Sequence, residues 1–177
     1  MTFITQVLNG LQLGSIYALV ALGYTMVYGI ILLLNFAHGD IIMVGAYISW
    51  LVMSKLGLNP AIAVVLSIAG CMLLGVLIDK VAYAPLRDAP RLSILITAIG
   101  VSYFLENGSQ LLFGADAKVV PAYTSVSNIQ VGDLTLSFSA IVTVVVTAVA
   151  TVVLTFLVQK TKLGKAMRAV SEDMGAA

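Results

Sequence analysis

The sequence predicts an all-α integral membrane protein of about five transmembrane helices, one of them broken at residues 35–40. Three observations predict it. Sixty per cent of the 177 residues are hydrophobic and ten per cent are charged, with a mean hydropathy of +1.08. A soluble domain of this size carries about a quarter charged residues, so the chain cannot cover itself with a polar surface and the bilayer is its natural solvent. The apolar residues also gather into segments near the ~20 residues that cross a bilayer as a helix. Finally, the most polar short cluster, NFAHGD at 35–40, lies between two of those segments, YTMVYGIILLL and IIMVGAYISWLV.

The five segments run over 5–34, 41–56, 60–78, 93–114 and 139–158. NFAHGD, KLGLNP, DKVAYAPLRDAPR, a stretch over 115–138 and a tail from Gln159 separate or follow them. The first residues lack a basic region and the apolar run continues past leader length, so no cleavable leader is expected. No soluble domain and no internal repeat is present, and 1–177 reads as a single transmembrane domain. The net charge of +1 gives no sign of a nucleic-acid surface. Cys71, the only cysteine, sits in an apolar helix and reads as a packing residue.

Orientation follows from the positive charges. Lys80, Arg87 and Arg91 share one loop, and Lys160, Lys162, Lys165 and Arg168 share the tail 159–177. The positive-inside rule places both in the cytoplasm, and the two crossings between them agree in parity. The 115–138 stretch is then external, as is Lys55, and NFAHGD lies toward the inside. Within the external stretch, Ile129 and Val131, then Leu134, Leu136 and Phe138, alternate with polar residues around Gly132-Asp133. That pattern predicts a small β-hairpin with a type II′ turn, either a structural cap or a docking surface.

The depth of the break is what makes it a candidate site. Asp40 lies fifteen residues from Lys55, about 22 Å along a helix, within a hydrocarbon layer about 30 Å thick. Broken backbone at that depth requires protein or a water-filled cavity around it. Such a break exposes a half-helix N-terminus, whose unpaired N–H groups favour a negative group. Asp40 therefore either caps the following helix or faces a pathway, and the two roles are compatible. His38 is either a proton relay or a hydrogen-bonded structural residue. Asn35, with Asp40, can orient water and zwitterion groups without titrating. Glu106 and Asn107, about 12 Å below the outer end of their segment, form a polar patch with Ser109 and Gln110. A carboxylate there is costly unless paired or hydrated, which favours a cavity-facing position over a snorkelling one.

GSIYALVALGYTMVYGIILLLNFAHGDIIMVGAY closely resembles the first block of the branched-chain amino acid ABC importer permeases of the H type, a type II importer fold. DKVAYAPLR, SILITAIGVSYFLENGSQ and TKLGKAMRAVSEDMGAA resemble later blocks in the same order. The resemblance covers essentially the whole chain, although relatives more often carry Gln at the position of Glu106. It implies a multi-pass cell-membrane permease for Leu, Ile and Val, with urea or short amides as alternative substrates. It also implies as partners a second, homologous permease subunit, two cytoplasmic ATP-binding subunits and an extracytoplasmic substrate-binding protein. Asn35, His38, Asp40, Glu106 and Asn107 are then pathway candidates. The tail would lead into a cytoplasmic coupling helix, with Lys165, Arg168, Glu172 and Asp173 as candidates for ATPase contact. Arg168 and Glu172 can pair along one face, leaving Ala166, Ala169 and Val170 to be buried. Because such permeases carry about three further helices, the chain reads as an N-terminal portion that does not transport alone.

No catalytic or nucleotide-binding pattern competes with this reading. Gly164-Lys165 is followed by Ala166, and position 159 is Gln, so there is no phosphate cradle. No HExxH, GxSxG or metal-ligand cluster occurs, so neither enzymatic activity nor a cofactor is expected. A self-contained channel or ion-coupled carrier would need paired intramembrane charges, for which only Asp40 and Glu106 qualify. An intramembrane enzyme would have to use those same two carboxylates without a catalytic context.

Overall fold

The computed structural model describes residues 2–31, 35–87, 89–121, 129–131, 134–136 and 138–172. Six α-helices carry them: α1 Thr2–Ile31, α2 His38–Trp50, α3 Pro60–Ile78, α4 Arg91–Phe113, α5 Phe138–Lys160 and α6 Lys162–Glu172. Two short strands, β1 Ile129–Val131 and β2 Leu134–Leu136, precede α5. Length and composition alone mark three stretches as able to cross a membrane: Phe3–Gly29, Pro60–Leu86 and Phe138–Lys160. Two further expected crossings correspond to α2, only 13 residues long as an α-helix, and α4, which is 23 residues long and contains Glu106 and Asn107. The chain divides into two compact units, one of Met1–Leu32 with Ser125–Ala177 and one of Leu33–Thr124.

In the first unit α1 packs against α5, and α6 packs against both. Polar side chains mediate the first contact. Thr143, Thr147 and Thr151, spaced at one helical turn, each donate to the carbonyl four residues earlier. The Thr147 hydroxyl also lies 3.3 Å from the Ser15 carbonyl of α1, and both residues are buried. Small hydroxyl residues let helices in lipid approach closely while keeping every donor satisfied. β1 and β2 pair antiparallel, with Ile129 opposite Leu136 and Val131 opposite Leu134. Gly132 and Asp133, on which the type II′ turn rests, lie outside the described residues.

In the second unit α2 and α3 form an antiparallel hairpin. α2 continues into a π-helical turn, Leu51–Lys55, and Gly57 then takes φ +63°, a conformation that favours glycine. Asn59 starts α3, its Oδ1 accepting from Ala61 N–H at 2.9 Å, and Pro60 occupies the first helical position where a missing N–H costs nothing. The faces between the helices are small and polar. Ser67 Oγ donates to the Gly45 carbonyl at 3.0 Å and lies 2.8 Å from Ser49 Oγ. Cys71 Sγ lies 3.4 Å from the Ile41 carbonyl, which makes it the packing residue its apolar context predicts.

Gly45 is one point of close approach between the two helices, because a Cβ there would stand 2.8 Å from Cys71 Sγ. Gly45→Ala is therefore expected to lower stability by about 1 kcal/mol, the overpacking cost exceeding the gain in helix propensity. Cys71→Ala in the same chain removes the obstructing sulfur and should restore the loss, as thermal unfolding in detergent micelles will show. A double variant no more stable than Gly45→Ala would contradict this packing.

Candidate functional site

The break between α1 and α2 ends before His38. Among the described residues it comprises Asn35, Phe36 and Ala37, and His38, Gly39 and Asp40 already form the first turn of α2. The physical reason is backbone pairing. His38 N–H donates to the Asn35 carbonyl at 3.2 Å, closing a turn, and Ile41 N–H donates to the Ala37 carbonyl at 3.1 Å, opening the helix. Ala37 is the N-cap and contributes no side-chain bond. Asp40 stands three residues inside the helix rather than at the cap, so the capping role considered for it is not the one it has.

Asn35 organises the break. Its Oδ1 accepts from Ala37 N–H at 3.1 Å and from the Tyr83 hydroxyl at 2.8 Å. Tyr83 comes from the far end of α3, where Asp79–Tyr83 widen into a π-helical turn and Ala84–Leu86 tighten into a 3₁₀ turn. Pro85 explains the change of winding. It has no N–H and its ring crowds the carbonyl of the preceding turn, so Ala84 N–H reaches back to Asp79 instead. One extra residue in a turn re-aims the side chains that follow by about 100°, and Tyr83 meets Asn35. Nearby, Arg87 and Asp79 form an exposed ion pair at 3.4 Å, which contributes little to stability.

Asp40 is 8% exposed, and its Oδ2 is buried without a hydrogen-bond donor among the described residues. The partial positive charge of a helix first turn favours a carboxylate at that position, but it leaves this oxygen open to a cationic group. His38 is half-buried and hydrogen-bonded. Asn35, His38 and Asp40 thus share one site with Tyr83, which stands in the sequence only as one residue of DKVAYAPLR. The Pro two residues later was the available signal that the helix changes winding there.

Glu106 and Asn107 belong to the same unit but to the exposed face of α4. Asn107 Nδ2 is engaged locally with the Tyr103 carbonyl at 2.7 Å, and among the described residues neither side chain bonds to the break.

The remaining candidates lie in the other unit. Lys165 and Arg168 are exposed on α6, Glu172 is its last residue, and Asp173 lies outside the described residues. Thr161 sets the angle at which α6 leaves α5. Its hydroxyl donates to the Leu157 carbonyl at 2.5 Å, accepts from Gly164 N–H at 3.1 Å, and its carbonyl takes Lys165 N–H at 3.1 Å. One residue therefore closes α5 and caps α6.

Long apolar helices, a polar break before a helix carrying a buried carboxylate, and a short amphipathic helix after α5 fit a polytopic membrane protein of the permease class. Residues 6–177 match the family described as branched-chain amino acid transport system / permease component, and the chain belongs to that family. It is 37% identical to the high-affinity branched-chain amino acid transport system permease protein BraD of Pseudomonas aeruginosa. It is 39% identical to the corresponding LivH proteins of Salmonella typhimurium and Escherichia coli K12. Each match covers 97% of this chain and 60% of the relative, so the chain spans about three fifths of their length. No solved structure matches.

Proposed function

We propose that this chain supplies part of the transmembrane pathway of an importer for leucine, isoleucine and valine, driven by ATP hydrolysis on separate subunits. The observation that carries the proposal is the buried Asp40 Oδ2, without a partner among the described residues, beside a break pinned by Asn35 and Tyr83, in a chain whose relatives are branched-chain amino acid permeases. A zwitterion needs an acceptor for its ammonium group and donors for its carboxylate. Asp40 takes the α-ammonium group. Asn35, with Oδ1 occupied, has its amide N–H groups to donate to the α-carboxylate. His38 supports the turn by hydrogen bonding, and Glu106 and Asn107 line the route from α4.

In this reading 1–177 belongs to one permease domain, 115–138 faces outward and 159–177 leads into a coupling helix in the cytoplasm. A second, homologous permease subunit would complete the pathway. Two ATP-binding subunits would receive α6 through Lys165, Arg168, Glu172 and Asp173, and an extracytoplasmic binding protein would deliver the substrate. The amphipathic character of α6 supports this, since its cations favour the cytoplasmic surface while its apolar face needs cover.

Disrupting the gene is expected to remove high-affinity, ATP-dependent uptake of labelled leucine from cells, with isoleucine and valine competing for the same uptake in unaltered cells. Loss of urea or amide uptake with leucine uptake intact would reassign the substrate. Leucine uptake that follows the proton gradient and ignores ATP would replace the importer with a carrier.

A further inference from the structure

A second cluster lies at the opposite end of α2 from the break. Tyr47 stacks on Phe113 at the end of α4 with ring centroids 4.5 Å apart, and Trp50 meets Phe113 edge-on at 6.3 Å. Two cations from different parts of the chain converge on the indole. Lys55 Nζ lies 5.8 Å from the Trp50 ring centroid and Lys118 Nζ lies 5.7 Å from it, both within cation–π range. Among the described residues neither lysine forms an ion pair. Among the described residues the ring thus gathers two positive charges with no anion paired to either.

The surroundings say which anion fits. Leu56, beside Lys55, is 58% exposed, and Leu111 and Leu112, beside Phe113, are 88% and 79% exposed. A short connection joins α2 to α3, so Lys55 and the start of α3 share one face of the bilayer, and the rings bring the end of α4 to that face. Indole and phenol rings concentrate at headgroup depth, where an apolar body and a polar tip are both accommodated. Cations above and bare leucines alongside match a molecule with a negative head and hydrocarbon tails. An acidic protein surface would balance the charge and leave the leucines uncovered.

We propose that Trp50, Lys55 and Lys118 form a headgroup site for an anionic phospholipid. The two ammonium groups hold the phosphate, the indole sets its depth, and the acyl chains lie against Leu111 and Leu112. The site needs membrane residence alone and is independent of the transported substrate.

Trp50 is the only tryptophan in the 177 residues, so its fluorescence reports on this site. The protein is to be reconstituted in phosphatidylcholine vesicles containing a minor fraction of either brominated phosphatidylglycerol or brominated phosphatidylcholine. Quenching of Trp50 by the anionic lipid is expected at roughly 30-fold lower mole fraction, the preference that two basic residues near the surface confer. Lys55→Gln with Lys118→Gln should abolish the difference while leaving the emission maximum in phosphatidylcholine unchanged. Lys55→Arg with Lys118→Arg should keep it. Equal quenching of the unaltered protein by both lipids would overturn the proposal and leave the lysines to an acidic protein partner. A preference that survives the double Gln substitution would overturn it too.

Discussion

Gly164→Ala is expected to dislodge α6 from the end of α5 and to remove most transport. A Cβ at position 164 would run into the Val158 and Leu157 carbonyls, which are backbone atoms and cannot rotate aside. Relieving such an overlap costs about 3 kcal/mol, a shift of roughly 100-fold in the balance between docked and displaced α6. Thr161 would lose its bond from Gly164 N–H, and with it the cap that sets the exit angle. Trypsin cleavage after the exposed Lys162 and Lys165 should accelerate about tenfold or more, since proteolysis follows the population of the open form. Leucine uptake should fall in parallel if α6 is the ATPase contact. Gly100→Ala serves as the control, because its added Cβ meets nothing within 4 Å. Unchanged cleavage in Gly164→Ala would show that the close approach of α6 does not matter.

Asn35→Ala should reduce uptake more than any other single change at the break. It removes the acceptor of two hydrogen bonds at once, leaving Ala37 N–H and the Tyr83 hydroxyl without their partner. An orphaned polar group in this setting costs about 1–3 kcal/mol, and the loss would free the entrance to α2. Tyr83→Phe removes one of the two bonds and should have a smaller effect, about fivefold for a loss near 1 kcal/mol. Added to Asn35→Ala it should do little more, because both changes break one contact. Asp40→Asn keeps the shape and discards the charge that would meet an ammonium group, so uptake should again fall steeply. His38→Gln keeps hydrogen bonding and should leave much of the uptake intact. Abolished uptake in His38→Gln alongside normal uptake in Asp40→Asn would reverse this ranking.

The amino-acid sequence by itself determined the solvent, the helices and the place of the break. A chain with so few charges has no alternative to lipid, and in lipid the backbone must satisfy itself as helix. α3 begins and ends at the residues its apolar run predicts, 60 and 78, because Asn59 and Pro60 start a helix by local chemistry alone. The polar residues of NFAHGD likewise mark an interruption without reference to any neighbour. Which of them form it was not legible there. Two backbone bonds place His38 and Asp40 inside α2, and one-residue differences of that kind are decided by pairing rather than by composition.

Contacts across the fold decided the rest. Tyr83 reaches Asn35 from 48 positions along the chain, and no local pattern encodes a bond of that span. Lys55 and Lys118 meet on Trp50 only because α2 and α4 end side by side. Gly164 reads in the sequence as a poor choice for a helix interior. In the structure it is the residue whose missing side chain lets α6 turn back against the carbonyls of α5. Local propensity acts over a few residues and writes its signal where it acts. The space a side chain must leave empty depends on another helix, so only the packed chain discloses it.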